Sequence, residues 1–378
     1  MKSIVINKDD LKHNITKIKE IANQTKREDG KGSPQIIAVV KGNGYGLGLV
    51  QYANFLTFNG IRFLAVSTVE EGLVLRNANV EAKILMLSST AIKKEIELMV
   101  DNDIVITIGS KEALKVAEEV AIEKNKKINA HIKIDTGFGR YGFCYNQKEE
   151  IVNLLKEVKN ITIQGTFSHF SLAFYEKNKY SREQFNRFME VIEVLEENNI
   201  ETGIKHICNS SAFLKFENMR LDALRVGSAF LGRLAIPNIY GLKKIAYLKA
   251  NVSEIKTLPK GYNIGYSNAY TTKRETKIAI VPCGYKDGYN VREQRDMFRK
   301  IDKLRYIVRD IKDSFKDKSL YVDILLNFKE YKRCKVLGRI GMYHIAIDVT
   351  GLDVKIGDEV SLNVSPMFVD SRIRREYV

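Results

Sequence analysis

Short apolar runs punctuate the first two thirds of the chain, each closed by glycine or polar residues. Gln35–Val40, Arg62–Ser67, Lys83–Leu87, Ile104–Ile108, Ala130–Ile134, Thr162–Phe167, Lys205–Cys208 and Ala223–Val226 read as buried strands, rich in β-branched and apolar residues. Between most of them the apolar spacing changes to that of a helix. Leu11, Ile15, Ile18 and Ile21 keep one face, as do Ile92, Ile96 and Met99, and Leu114, Ala117 and Val120. The stretch "REQFNRFMEVIEVLEENN" is another, and it closes on asparagine as a helix can. Eight strand–helix units over roughly 230 residues predict a (β/α)8 barrel. A doubly wound sheet is the rival, but no nucleotide fingerprint accompanies these units.

After about Leu242 the pattern becomes alternating and closely spaced, in "LKANVSEIKTLP", "KIAIVPCGY", "YVDILLN", "RCKVLGRIGM", "HIAIDVT" and "DEVSLNV". The prediction is therefore a barrel over residues 1–242 and a mostly β domain over 243–378. A charged, helix-like segment at about 291–318 interrupts the second domain and reads as an insertion.

Composition changes little in this picture. The 378 residues are 44% hydrophobic and 28% charged, which suits a globular protein of two domains. No run reaches the roughly 18 apolar residues of a membrane span, and the first residues lack the apolar core of a signal peptide. Cys144, Cys208, Cys283 and Cys334 are scattered without a CxxC pair, so free cytoplasmic thiols are expected rather than bridges or a metal site. The net charge of +15 raises the question of a nucleic acid or membrane partner. The lysines fall mostly between apolar helical positions, the pattern of a solvated basic face, and neither partner is expected.

The chemistry begins in "IIAVVKGNGYGLG", residues 36 to 48. A buried strand ends on Lys41 and dissolves into glycines around Tyr45. In a barrel the C-terminal end of a strand faces the active site. A lysine in a partly apolar pocket has a lowered amine pKa and can form a Schiff base. "AVVKGNGYGLG" is similar to the pyridoxal phosphate (PLP) lysine motif of bacterial alanine racemases. The resemblance continues through "KIDTGFGRYGF", "GTFSHF", "HICNSSA", "LRVGSAFLG", "IGYSNAY", "IVPCGYKDGY" and "GRIGMYHIAIDVTG", in the family's order across residues 36 to 351.

The resemblance implies a barrel plus β domain and makes Lys41 the residue that carries PLP. Tyr45, Asn209, Ser210, Gly227 and Ser228 match the residues around the cofactor phosphate. Arg225 matches an arginine that faces the pyridine nitrogen. Arginine cannot protonate that nitrogen, so a carbanion on the cofactor is not strongly stabilised, which suits racemisation over decarboxylation. Tyr266 matches the second base, which in the family comes from the partner subunit of a homodimer. His169 matches the histidine beside the cofactor that links Arg225 to this tyrosine. Arg140, Met342 and Tyr285 match residues that meet the substrate, and Lys133 a lysine that is carbamylated in many relatives. No metal is implied.

The chain departs from the family's pattern at Leu47, where histidine is usual, and at Tyr343 and His344, where aspartate and glutamine are usual. Ser371 stands where the family has a tyrosine that walls the substrate pocket. The expectation is a PLP-dependent racemase of alanine. A racemase of serine or another amino acid on the same scaffold and a non-catalytic PLP-binding protein are the alternatives.

Overall fold

The computed structural model describes residues 2–25, 30, 32–175, 179–294, 300–315, 319–327 and 330–378. The chain forms two compact units, Lys8–Ile245 and Met1–Asn7 with Ala246–Val378.

The first unit is an eight-stranded parallel sheet that is nearly closed. Its strands run in the order Ala223–Val226, Gln35–Val39, Phe63–Val66, Lys83–Ser89, Val105–Ile108, Ile128–Asp135, Ile161–Phe167 and Ile204–His206. The ends of this path meet where the Arg225 N–H donates to the Cys208 carbonyl at 3.0 Å. The Lys205 N–H reaches the Asp222 carboxylate at 2.7 Å at the same seam. The eight apolar runs read from the sequence are these strands.

Helices cover the outside, as the apolar spacing requires. Lys8–Asn23 buries Leu11, Ile15 and Ile18, each worth about 1.5–3 kcal/mol. Its stripe drifts to Ala22 rather than Ile21. Asn14 on the same face is fully buried, which the apolar pattern did not anticipate. Its amide donates to the Phe230 and Lys243 carbonyls at 2.9 and 2.7 Å and accepts from the Lys243 N–H at 2.8 Å. Thr68 and Ser110 cap the helices that follow them, each hydroxyl accepting a backbone N–H three residues on.

The barrel interior changes character around its circumference. Ile37, Val39, Phe63, Ala65, Leu85, Val105 and Ala223 form one apolar cluster. His131, Lys133 and His206 on the other strands, and Arg225 two residues beyond Ala223, are polar and buried. The core therefore grades into polar chemistry without leaving the barrel.

In the second unit a nine-stranded sheet begins with Glu254–Leu258, Thr276–Val281, Ile345–Asp348 and Glu330–Leu337. It continues through Tyr321–Leu326, Glu359–Leu362, Ala246–Asn251 and Ser3–Ile6 to Arg374–Tyr377. All neighbours are antiparallel except Ser3–Ile6 with Arg374–Tyr377. The two units divide between Ile245 and Ala246, three residues beyond the expected boundary at 242, and again between Asn7 and Lys8. The first strand belongs with the β unit, because its short "SIVI" run pairs with Ala246–Asn251. Within the expected insertion, a helix spans Lys300–Ser314. Residues 295–299 and 316–318 of that segment lie outside the described residues.

Candidate active site

The glycines after Lys41 build a left-handed turn. Gly42, Asn43, Gly44, Tyr45 and Gly46 have φ of 65°, 54°, 63°, 54° and 84°. The turn is hydrogen-bonded like a helix, with Gly44 N–H to Val40 O at 2.8 Å and Gly46 N–H to Gly42 O at 2.9 Å. Left-handed helical backbone costs an L-residue roughly 1–2 kcal/mol, so glycine fills three of these positions. Asparagine tolerates the fourth, and its side chain accepts the Leu49 N–H at 2.9 Å. Tyr45 bears the strain without such compensation. Leu47 is fully buried, which suits its apolar side chain.

The turn aims Lys41 and Tyr45 into a cavity of about 460 Å³ at the C-terminal ends of the barrel strands. Four cations, Lys41, Lys133, Arg140 and Arg225, line it, and among the described residues no carboxylate does. His169, Asn209, Ser210, Gly227 and Ser228 line it as well. The structure thus brings together every barrel residue that the sequence singled out.

Arg225 organises the floor. One terminal nitrogen donates to His206 Nδ1 at 2.7 Å and to the His206 carbonyl at 3.1 Å. The other donates to the Ser168 and Ile207 carbonyls at 2.6 and 3.1 Å and to His169 Nδ1 at 3.1 Å. Guanidinium only donates, so both Nδ1 atoms must be unprotonated and both rings carry hydrogen on Nε2. His206 Nε2 then donates to His131 Nδ1 at 2.9 Å. Burial first, then the Arg225 charge, holds His169 and His206 well below the usual histidine range. His131 falls to about 3, by burial first and then the charges of Lys83 and Arg225. All three rings are neutral at physiological pH. Arg225 itself drops to about 10 through burial and stays charged. Among the described residues its Nε–H has no protein acceptor.

Lys133 lines the cavity with its amine 4.6 Å from the Phe167 ring centroid, and the residue is 5% exposed. It has no ion-pair partner among the described residues. Burial, then the charges of Arg225 and Arg140, pushes its amine down to about 7. Lys41 is lowered too, by burial first and then by Arg140, although Glu71 pulls the other way. Arg140 sits at the mouth on a loop that Asp135 gathers. Partial burial works against the Asp135 charge, but N–H donors from Gly137, Gly139, Phe138 and Arg140 outweigh it and hold the carboxyl below its ordinary value.

Three hydroxyl and glycine features converge at the far end. Ser210 Oγ accepts the Gly227 N–H at 3.0 Å and the Ala229 N–H at 3.4 Å, which leaves its own proton to donate. Burial, then Glu71, raises the Tyr45 phenol to about 12, so it too is a donor. A Cβ on Gly227 would lie 2.3 Å from Tyr45 Oη, so glycine is required for this approach. Asn209 caps the following helix by accepting the Ala212 N–H at 3.1 Å.

Tyr266, Met342 and Tyr285 lie in the β unit. Tyr266 stands at a hairpin tip after Gly265 (φ 79°) and is 73% exposed. It shares a concavity of about 530 Å³ with Arg339, Met342 and Tyr343. Tyr285 is drawn beside Met342 by backbone bonds, Tyr285 N–H to Gly341 O and Lys286 N–H to Met342 O, both at 3.1 Å.

The alanine racemase N-terminal domain model matches residues 6–234, and its C-terminal counterpart matches 245–309. The chain belongs to the alanine racemase family. Alanine racemase of Clostridium tetani is 34% identical over 364 residues, covering 94% of this chain and 84% of the relative. Alanine racemase 2 of Caldanaerobacter subterraneus subsp. tengcongensis is 32% identical over 366 residues, with the same shares. Among solved structures, alanine racemase of Clostridium difficile 630 superposes with a TM-score of 0.81 at 27% identity, covering 100% of this chain and 97% of that one. The Bacillus anthracis alanine racemase with bound L-Ala-P gives 0.77 at 26% identity, covering 98% and 92%.

Set within the alanine racemase family, the cavity's Arg225 rests on two fully buried residues that sequence reasoning passed over, His206 and, behind it, His131. His131 precedes Lys133 by two residues on one strand, so both point to one face. His131 and His206 are two of the chain's five histidines and each falls inside a predicted barrel strand, which was the available signal. The room for His131 comes from Gly165, where a Cβ would meet the imidazole at 2.6 Å.

Proposed function

We propose that the protein is a PLP-dependent racemase that interconverts L- and D-alanine. The observation that carries this reading is the cavity lined by four cations and, among the described residues, no carboxylate, with a strand-end lysine of lowered pKa. Such a lining suits a ligand with two anionic ends, a phosphate ester and a carboxylate. PLP fits the donors present: Tyr45 Oη and Ser210 Oγ each hold a proton to offer a phosphate, and the bare Gly227 keeps that end open. Ser228 completes this end, and Asn209 holds its helix in place.

PLP, when bound, supplies an electron sink that weakens the Cα–H bond of an amino acid. The remaining work belongs to the chain. Lys41 would hold the cofactor and move a proton at Cα on one face, for which its lowered amine pKa equips it. Arg225 would offer Nε–H to the pyridine nitrogen and could not surrender that proton, because the charge is fixed by three carbonyls and two imidazoles. Arg140 would bind the substrate carboxylate. Carbamylation of Lys133 would give Arg140 an anionic neighbour, and an amine near pKa 7 is nucleophilic enough to capture carbon dioxide. Tyr266 would serve the opposite face of Cα from a second copy of the chain, with Met342 and Tyr285 at the substrate, and His169 Nε2–H would steady its phenol.

A mixing experiment tests the shared site. Lys41→Ala and Tyr266→Phe should each abolish turnover of one or both alanine enantiomers. A mixture of the two should regain activity, because one site of a mixed dimer is intact. No recovery after demonstrated subunit exchange would place Tyr266 in its own chain's site. Retention of a borohydride-reducible lysine adduct in Lys41→Ala would remove Lys41 from its role.

A further inference from the structure

The helix Lys300–Ser314 is built inside out. Ile301, Leu304, Ile307, Val308, Ile311 and Phe315 lie along one side, and all are exposed, from 45% at Val308 to 87% at Phe315. At 100° per residue they occupy an arc of about 120°. The residues turned toward the β unit are instead polar: Asp302 is buried, and Tyr306 and Asp313 are half-buried. A stable protein does not ordinarily direct six large apolar side chains of one helix at water.

The charges choose among occupants. Ile301, Leu304, Val308, Ile311 and Phe315 fall at a and d positions of a heptad, so a second copy of the helix would fit geometrically. The flanking e positions are then Arg305 and Lys312, and the first g position is Lys300. Parallel pairing opposes Lys300 to Arg305, and antiparallel pairing opposes Arg305 to Lys312. Both arrangements set cation against cation. Arg305 remains 61% exposed even while reaching Asp302 at 3.5 Å. The acidic residues Asp302, Asp310 and Asp313 lie on the opposite arc. Both rims of the apolar stripe are therefore cationic, on a chain whose net charge is already +15. The complementary surface is apolar between anionic borders, and a bilayer of anionic lipid has that form. The helix is about 22 Å long, too short to cross a bilayer and suited to lying in its interface.

We propose that Lys300–Ser314, with Phe315, is a peripheral docking helix for anionic lipid surfaces. Its apolar stripe enters the headgroup boundary, and Arg305 and Lys312 extend to the lipid phosphates beside it.

The test is sedimentation of the full-length protein with vesicles of phosphatidylcholine alone or with 30% phosphatidylglycerol. Binding is expected only with the anionic lipid and should weaken with salt. Leu304→Ser with Ile311→Ser should weaken it at least 100-fold. Arg305→Gln with Lys312→Gln should weaken it roughly 25-fold. Racemase activity and the circular dichroism spectrum should stay unchanged in both, which separates lost docking from lost folding. Three results would each overturn the proposal. One is no binding by the wild type, including the case where it captures an acidic protein instead. Another is binding that survives in both variants, which would assign it to the general basic surface. The third is concentration-dependent self-association that Leu304→Ser abolishes, which would make the occupant a second copy.

Discussion

Replacing Lys133 by methionine should stabilise the protein at neutral pH and lose that advantage as pH rises. Methionine matches the lysine stem in length and apolar character, so the perturbation is the removal of one amine from a site that is 5% exposed. The folded amine titrates at about 7 and the unfolded one at 10.5. Between these values the unfolded state binds one more proton than the folded state, so wild-type stability rises with pH by about 1.36 kcal/mol per pH unit. From pH 7 to 9.5 this amounts to about 3 kcal/mol, allowing for half-protonation at the start. The variant lacks this dependence, so its stability relative to wild type should shrink by that amount over the same interval. The chain has no tryptophan, so urea unfolding is best followed by circular dichroism. A difference that stays flat from pH 7 to 9.5 in carbon-dioxide-free buffer would refute the reasoning, since Lys133 would then not be an unpaired buried amine. Adding bicarbonate should stabilise the wild type alone and add the mass of one carbamate.

Gly227→Ala should lower PLP affinity at least tenfold by absorbance titration, because the new Cβ would force the Tyr45 phenol back by about 1 Å; unchanged affinity would remove the Tyr45–Gly227 contact from the cofactor site. Ser371→Tyr should lower the serine-to-alanine ratio of kcat/KM by about tenfold, since an added ring restricts the larger side chain. Ser371 is exposed, next to Arg372, whose guanidinium pairs with Asp370 at 2.6 Å. An unchanged ratio would mean that Ser371 does not shape the pocket.

The barrel was legible because each of its strands is a compact apolar run and strand and helix spacing differ along the chain. Gln35–Val39 and its neighbours form where the sequence placed them because burial on both faces leaves no polar alternation to misread. Ser3–Ile6 was not legible as part of the β unit, since its partner Ala246–Asn251 lies some 240 residues away and pairing leaves no local mark. Lys41 was legible as a strand-end lysine, but its left-handed turn was only hinted at by the glycines. Asn14, His131 and His206 are polar residues at core positions, and single-sequence periodicity treats such residues as exceptions. The outward apolar stripe at 301–315 was read as a helix without its orientation, because periodicity reports that a face exists and not which way it points.

The left-handed turn also bears on how the protein ages. Asn43–Gly44 is the dipeptide most prone to deamidate, through attack of the glycine nitrogen on the asparagine side chain. In the fold the Gly44 N–H is held by the Val40 carbonyl and the Asn43 amide oxygen by the Leu49 N–H, at 2.8 and 2.9 Å. The nucleophile's N–H is engaged and the Asn43 side chain is tethered in one orientation. Of the chain's two Asn–Gly bonds, Asn43–Gly44 and Asn59–Gly60, the first thus lies two residues from Lys41, protected only while the turn is closed. Isoaspartate at position 43 would accumulate in proportion to the time the turn spends open, a chemical clock set beside the residue on which activity depends.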